Sequence, residues 1–205
     1  MNYTEDIECK VARCIELFRN HKATLSRHGT LEVLDWRKPD SCFYSVRIVF
    51  DPGPNAAYIT GDIGEAIIRP TCAATLASMA SCFTRRDENG CVKVNDGYFM
   101  EKFATASDRH VWCKEDFVED FKARCEVYHL TPPEDFLDDI DDYSSPVEFY
   151  DDKAPVVDEE TRSELEEMDV DYWEWFYDCG KRVSARVIDW LVALRLAAEQ
   201  IWEAK

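Results

Sequence analysis

Four residues near the middle of the chain have the types and spacing of a metal site. "HVWC" supplies His110 and Cys113, and "CEVYH" supplies Cys125 and His129, together H-x2-C-x11-C-x3-H. Tetrahedral zinc takes thiolates and imidazoles in such pairs, and on a helix Cys125 and His129 stand one turn apart on one side. Cysteine is equally a common core residue, so the same pattern describes ordinary buried thiols and surface histidines. There is no C-x-x-C, and the other cysteines show no paired spacing. No cofactor is expected, with those four residues as the alternative. Calcium fits worse. An EF-hand loop needs oxygen ligands at positions 1, 3 and 5 and Gly at 6. Counting from Asp138 puts Ile140 at position 3, counting from Asp139 puts Tyr143 at position 5, and residues 134–160 contain no Gly.

Catalytic patterns are equally thin. Neither G-x-S-x-G nor H-E-x-x-H occurs. Forty-two acidic residues offer carboxylate pairs in too many combinations for any one to be informative. "GDIGEA" (61–66) is neither a dinucleotide fingerprint nor a phosphate loop with its Lys. It reads as a strand-joining turn in which Gly61 and Gly64 permit positive φ. The chain therefore reads as non-enzymatic.

Charge carries more information. The net charge is −18, yet residues 1–114 hold fifteen acidic and fifteen basic side chains, and 179–205 hold three and five. Residues 115–178 hold twenty-four acidic and four basic. Within them, "EDFLDDIDDYSSPVEFYDDKAPVVDEE" (134–160) gathers twelve carboxylates against Lys153. Such a surface repels nucleic acid and anionic membranes, so neither is an expected partner; cations and basic proteins are. Apolar residues from Phe136 to Val157 are interleaved with the acids, unlike a purely solvating tail. The segment is expected to lie on the body with its carboxylates outward.

Unit charges about 4 Å apart repel by roughly 1 kcal/mol even in water. A chain that tolerates this repulsion gains from a cationic partner. Helical residues three or four apart sit about 5–6 Å from each other, a spacing comparable to that of backbone phosphates. An acidic, partly helical face would thus imitate a nucleic-acid strand. The candidate partner-binding residues are Glu134, Asp135, Asp138, Asp139, Asp141, Asp142, Asp151 and Asp152, with Glu164, Glu166 and Glu167 in support.

The elements that would position these residues suit an α+β fold with a small antiparallel sheet of about three strands. Helical spacing of Ile7, Val11, Cys14, Ile15 and Phe18 predicts a helix over 4–20. Strands are expected at 42–50, at 56–60 and in "EAIIRPT", and short helices at 72–83 and 96–107. A longer helix is expected at 114–129 with Phe117, Val118, Phe121 and Cys125 on one face, and another from Glu159 leads into "DYWEWFY" (171–177). In that block Trp173, Phe176 and Tyr177 are expected to pack against a final helix striped by Val183, Val187, Trp190, Leu191, Leu194, Ala198 and Ile201. Residues 1–130 are expected to form the core domain and 131–205 an acidic segment with C-terminal helices packed on it. No run of eighteen apolar residues and no secretion signal is seen. Nine irregularly spaced Cys suit reduced thiols, so a cytoplasmic protein is expected.

"YSVRIVFDPGPNAAYITGDIGEAI" and "GYFMEKFATASDRHVW", within residues 36–112, resemble small proteins carried by phages and prophages of Firmicutes. Those proteins have a strand, a GD-Leu-Gly-(Glu/Asp)-Ala turn and a "YF…K…AS" helix; Ile63 here replaces the Leu. Some such phage proteins are anti-CRISPR inhibitors, several of them acidic DNA mimics. The resemblance implies a phage protein of the bacterial host's cytoplasm that binds a CRISPR effector nuclease, in particular a type II enzyme. It carries over no catalytic residue. A regulatory or adaptor protein for another basic host protein, or a zinc-stabilised module, is the alternative.

Overall fold

The computed structural model describes residues 3–106, 109–131, 147–148, 156–157 and 159–203. The chain divides into two compact units, Met1–Arg109 with Ser184–Lys205, and His110–Val183.

The first unit runs α1 (Tyr3–Phe18), β1 (Lys22–His28), β2 (Leu31–Arg37), β3 (Val46–Asp51), β4 (Ala56–Gly61), β5 (Ala66–Ile68) and α2 (Leu76–Phe83). It continues with β6 (Thr84–Arg86), β7 (Val92–Val94), α3 (Asp96–Met100) and β8 (Phe103–Ala106). Its last helix, α6 (Ala185–Ala198), follows the second unit in sequence. The architecture is α+β, but the main sheet has six antiparallel strands, ordered β1-β2-β3-β4-β5-β8, not the expected three or so. Three features account for the difference, the first being that β1 has no buried residue to mark one face as a strand's. In β2 the inward positions are Glu32, Leu34 and Trp36, so a carboxylate interrupts the apolar alternation that marks a strand. Glu32 is buried because it has partners: it accepts from Arg27 at 3.0 Å and from the Leu76 amide, at the start of α2, at 2.8 Å. The span 96–107 is not one helix either. It is helical only through Met100, after which β8 pairs with β5, tertiary pairing overriding local preference.

One face of this sheet is apolar. Leu34, Trp36, Val46, Ile48, Phe50, Ala57, Ile59, Ala66 and Ile68 are all buried, each large side chain among them contributing roughly 1.5–3 kcal/mol. On the opposite face Arg47 holds Asp35 through two bonds of 2.7 and 3.0 Å, as expected of an antiparallel sheet with one wet side. The final helix α6 is buried on nearly every side rather than along one stripe, the pattern of a helix inside a core. Its buried Arg195 pairs with Glu199 at 2.8 Å and with Glu203, and Glu199 also takes Arg86 at 2.6 Å. The "GDIG" segment is the strand-joining turn from β4 to β5. Gly61 has φ +141°, and a Cβ there would lie 2.1 Å from the Ser45 carbonyl oxygen. Asp62 accepts from the Tyr44 amide at 2.7 Å and from the Ser45 hydroxyl at 3.1 Å, fixing the loop before β3.

The second unit contains β9 (His110–Trp112), α4 (Lys114–Tyr128), β10 (Val147–Glu148), β11 (Val156–Val157), α5 (Glu159–Met168), two short 3-10 turns and β12 (Lys181–Val183). β9 pairs with β12 and β10 with β11. Phe117, Phe121 and Cys125 line one side of α4 and pack with Leu165, Tyr172, Trp175, Phe176 and Cys179. The Phe117 and Phe176 rings meet edge to face at 5.3 Å. Asp120 accepts from the Gly180 amide at 2.8 Å and from Arg182 at 2.9 Å, joining α4 to the turn before β12. Among the described residues no helix is long and apolar enough to cross a membrane.

Candidate binding surface

The two units differ sharply in charge. The first carries 18 acidic and 17 basic side chains, net −1; the second carries 24 and 7, net −17. Of the eleven acidic candidates, Glu134, Asp135, Asp138, Asp139, Asp141, Asp142, Asp151 and Asp152 lie outside the described residues. The other three, Glu164, Glu166 and Glu167, are on α5.

Helix α5 is ten residues long, with Thr161 and Leu165 buried. Glu159, Glu160, Glu164, Glu166 and Glu167 are all exposed. The 100° advance per residue places Glu160, Glu164 and Glu167 along one ridge, neighbours about 5–6 Å apart. Glu159 and Glu160 suit the positive N-terminal end of the helix dipole. Glu166 and Glu167 do not: they stand in the last turn, where no basic residue is present and a negative charge costs about 0.3–1 kcal/mol. Arg162 pairs with Glu159 at 3.1 Å. The ridge is an ordered row of carboxylates whose last-turn member, Glu167, stands with Glu166 against the helix dipole.

The chain after α5 adds an apolar element. Val170 and Trp173 are 75% and 58% exposed, with Asp169, Asp171 and Glu174 beside them in sequence. The expected packing of the aromatic block is corrected here. Trp173 faces out, and Tyr172, Trp175 and Phe176 are the buried members, packed with Phe117 and Phe121 of α4. Trp175 is fixed by its indole N–H, which donates to Asp169 at 2.8 Å. In 3-10 turns no helical or strand period tells which of two nearby Trp residues points inward, so the sequence pattern held no signal for this choice.

The zinc pattern does not assemble. His110 and Cys113 stand at the start of α4, while Cys125 and His129 stand at its end. The cysteines are twelve positions apart along the helix, about 18 Å of rise, where one zinc ion needs all ligands within about 2.3 Å. Cys125 is a core residue, its thiol pushed up by burial, and His129 is the exposed left-handed cap of the helix. Among the described residues no group of three or more His, Cys, Asp or Glu could hold a metal ion. In the first unit a cavity of about 390 Å³ is lined by Tyr58, Thr60, Glu65, Ile67 and Thr105 among others, with one carboxylate and no thiol or imidazole.

No family model, curated protein or solved structure matches the chain.

Proposed function

We propose that this chain is a non-enzymatic inhibitor that lays its anionic second unit on the nucleic-acid-binding surface of a basic protein. The phage-like motifs make a type II CRISPR effector nuclease the first partner to test, which would place the protein in the cytoplasm of the bacterial host. One observation carries the reading: α5 turns Glu160, Glu164, Glu166 and Glu167 outward while burying Thr161 and Leu165. A carboxylate row held by an apolar anchor keeps its spacing, so it can meet a row of Lys and Arg that otherwise binds phosphates. Exposed Trp173 favours a protein partner, because Trp is among the residues enriched in interface hot spots. The same features admit another basic host protein, the second reading.

The experiment is a target-DNA cleavage assay with a guide-loaded effector, comparing the wild type with the triple reversal Glu164→Lys, Glu166→Lys, Glu167→Lys. The expected result is inhibition by the wild type and a loss of potency of tenfold or more in the variant, with circular dichroism unchanged. Equal potency of the two would remove α5 from the interface. Failure of the wild type on a panel of effectors would leave a pull-down from host lysate to identify the second reading's partner.

A further inference from the structure

The chain between β5 and α2 doubles back along the helix it precedes. Ala73 donates to the Pro70 carbonyl at 2.8 Å, and the Ala74 and Thr75 amides both donate to the Ser78 hydroxyl at 2.9 Å. The fold-back brings residue 72 alongside the last turn of α2. There the Cys82 thiol donates to the Cys72 carbonyl oxygen at 3.2 Å, an atom only three bonds from the Cβ that carries the Cys72 sulfur. Cys72 is exposed and Cys82 half-buried, and both are free thiols.

We propose that Cys72 and Cys82 form a dithiol site that closes to a disulfide by exchange with a small-molecule disulfide of the oxidised-glutathione class. The site lies in the first unit and does not depend on the acidic surface. Cys72, the more exposed thiol, attacks first as its thiolate. The S–S bond of the oxidant breaks, a mixed disulfide forms on Cys72, and the departing thiolate takes a proton from water. Cys82 then loses its proton to solvent and attacks the Cys72 sulfur, expelling the second small thiol. Two protein thiols are oxidised and one small disulfide is reduced to two thiols. Burial, and then the neighbouring Cys72 thiol, push Cys82 up to about 11, so the closing step accelerates as pH rises toward that value. The link closes an eleven-residue ring, 72–82, pinning the doubled-back loop to α2.

The test is incubation of the full chain in glutathione redox buffers, acid quenching, alkylation and peptide mapping by mass spectrometry. No Lys or Arg lies between Cys72 and Cys82, so the expected tryptic product is one peptide carrying both, unalkylated at each and lighter by two hydrogens than the reduced form. It is lost in both Cys72→Ser and Cys82→Ser, and the latter keeps a glutathione adduct on Cys72. Two results would overturn the proposal: stable glutathione adducts on wild-type Cys72 with no 72–82 link, or a two-hydrogen loss that persists in Cys72→Ser. The serine variants change one atom each at positions outside the core, and their circular dichroism is recorded alongside.

Discussion

In the first unit Glu32 and Arg195 are buried with their partners; in the second, helix α5 turns its carboxylates to solvent. Glu32 and Arg195 are 8% and 6% exposed, and each has oppositely charged partners. On α5, by contrast, five carboxylates are exposed and the one basic residue of the helix, Arg162, pairs with Glu159. Buried paired charges serve the fold, because losing one partner strands the other in a poor solvent. Exposed like charges at helical spacing serve no part of the fold and slightly oppose it. The contrast separates structural carboxylates from those available to a partner.

The contrast yields a ranked set of expected effects. The largest lies in the first unit. Gly61→Ala would push a methyl against the Ser45 carbonyl at a φ that side chains rarely adopt, and should cost ~3–5 kcal/mol in urea unfolding. Next is Glu32→Gln, which weakens the Arg27 pair and the link to the Leu76 amide; a loss of ~1.5–3 kcal/mol is expected from hydrogen bonds to a charged group.

The third effect depends on pH. His21 is 3% exposed, stacked on Trp36 at 5.6 Å and edge-on to Phe18 at 4.8 Å. Neither ring nitrogen has a partner at hydrogen-bond geometry. Burial pushes it below the ordinary 6.5, with Lys38 adding to the effect; Asp62 and the carbonyls of Tyr44 and Phe43 oppose without cancelling it. The unfolded imidazole takes its proton as pH drops below 6.5, while the folded one resists. Stability is therefore whole above that pH and declines below it. His21→Phe should flatten that part of the pH–stability curve. The smallest effect on stability belongs to α5: Glu164→Gln, Glu166→Gln and Glu167→Gln should each change unfolding by no more than ~0.5 kcal/mol, in the stabilising direction. A loss above 2 kcal/mol for any of them would show that α5's charges are structural after all.

The helices were legible where apolar spacing was regular: Ile7, Val11, Cys14 and Phe18 in α1, and Phe117, Phe121 and Cys125 in α4, are buried, while Ile15 and Val118, expected on the same faces, are half-buried. The sheet was half legible. β3 and β4 alternate, but β1 has no buried residue to mark a face, and β2 was hidden by Glu32, whose burial depends on Arg27 and on α2, partners that no local period reveals. β8 was hidden because its pairing with β5 overrides a helical reading of 96–107. At the candidate surface, Glu164, Glu166 and Glu167 were legible since a short helix with Leu165 inward has one way to face. Trp173 was not, for want of a period in the turns that hold it. The zinc spacing misled because sequence separation along α4 is distance, and distance excludes a shared ion.

The most direct measurement is the affinity of the wild-type chain for a guide-loaded type II effector nuclease, titrated from ~50 to ~200 mM salt with target DNA as competitor. The account predicts that affinity falls steadily with the logarithm of salt, that DNA and the chain exclude one another, and that the triple Lys reversal on α5 flattens the slope. Affinity indifferent to salt, or a complex that holds both DNA and the chain, would contradict it.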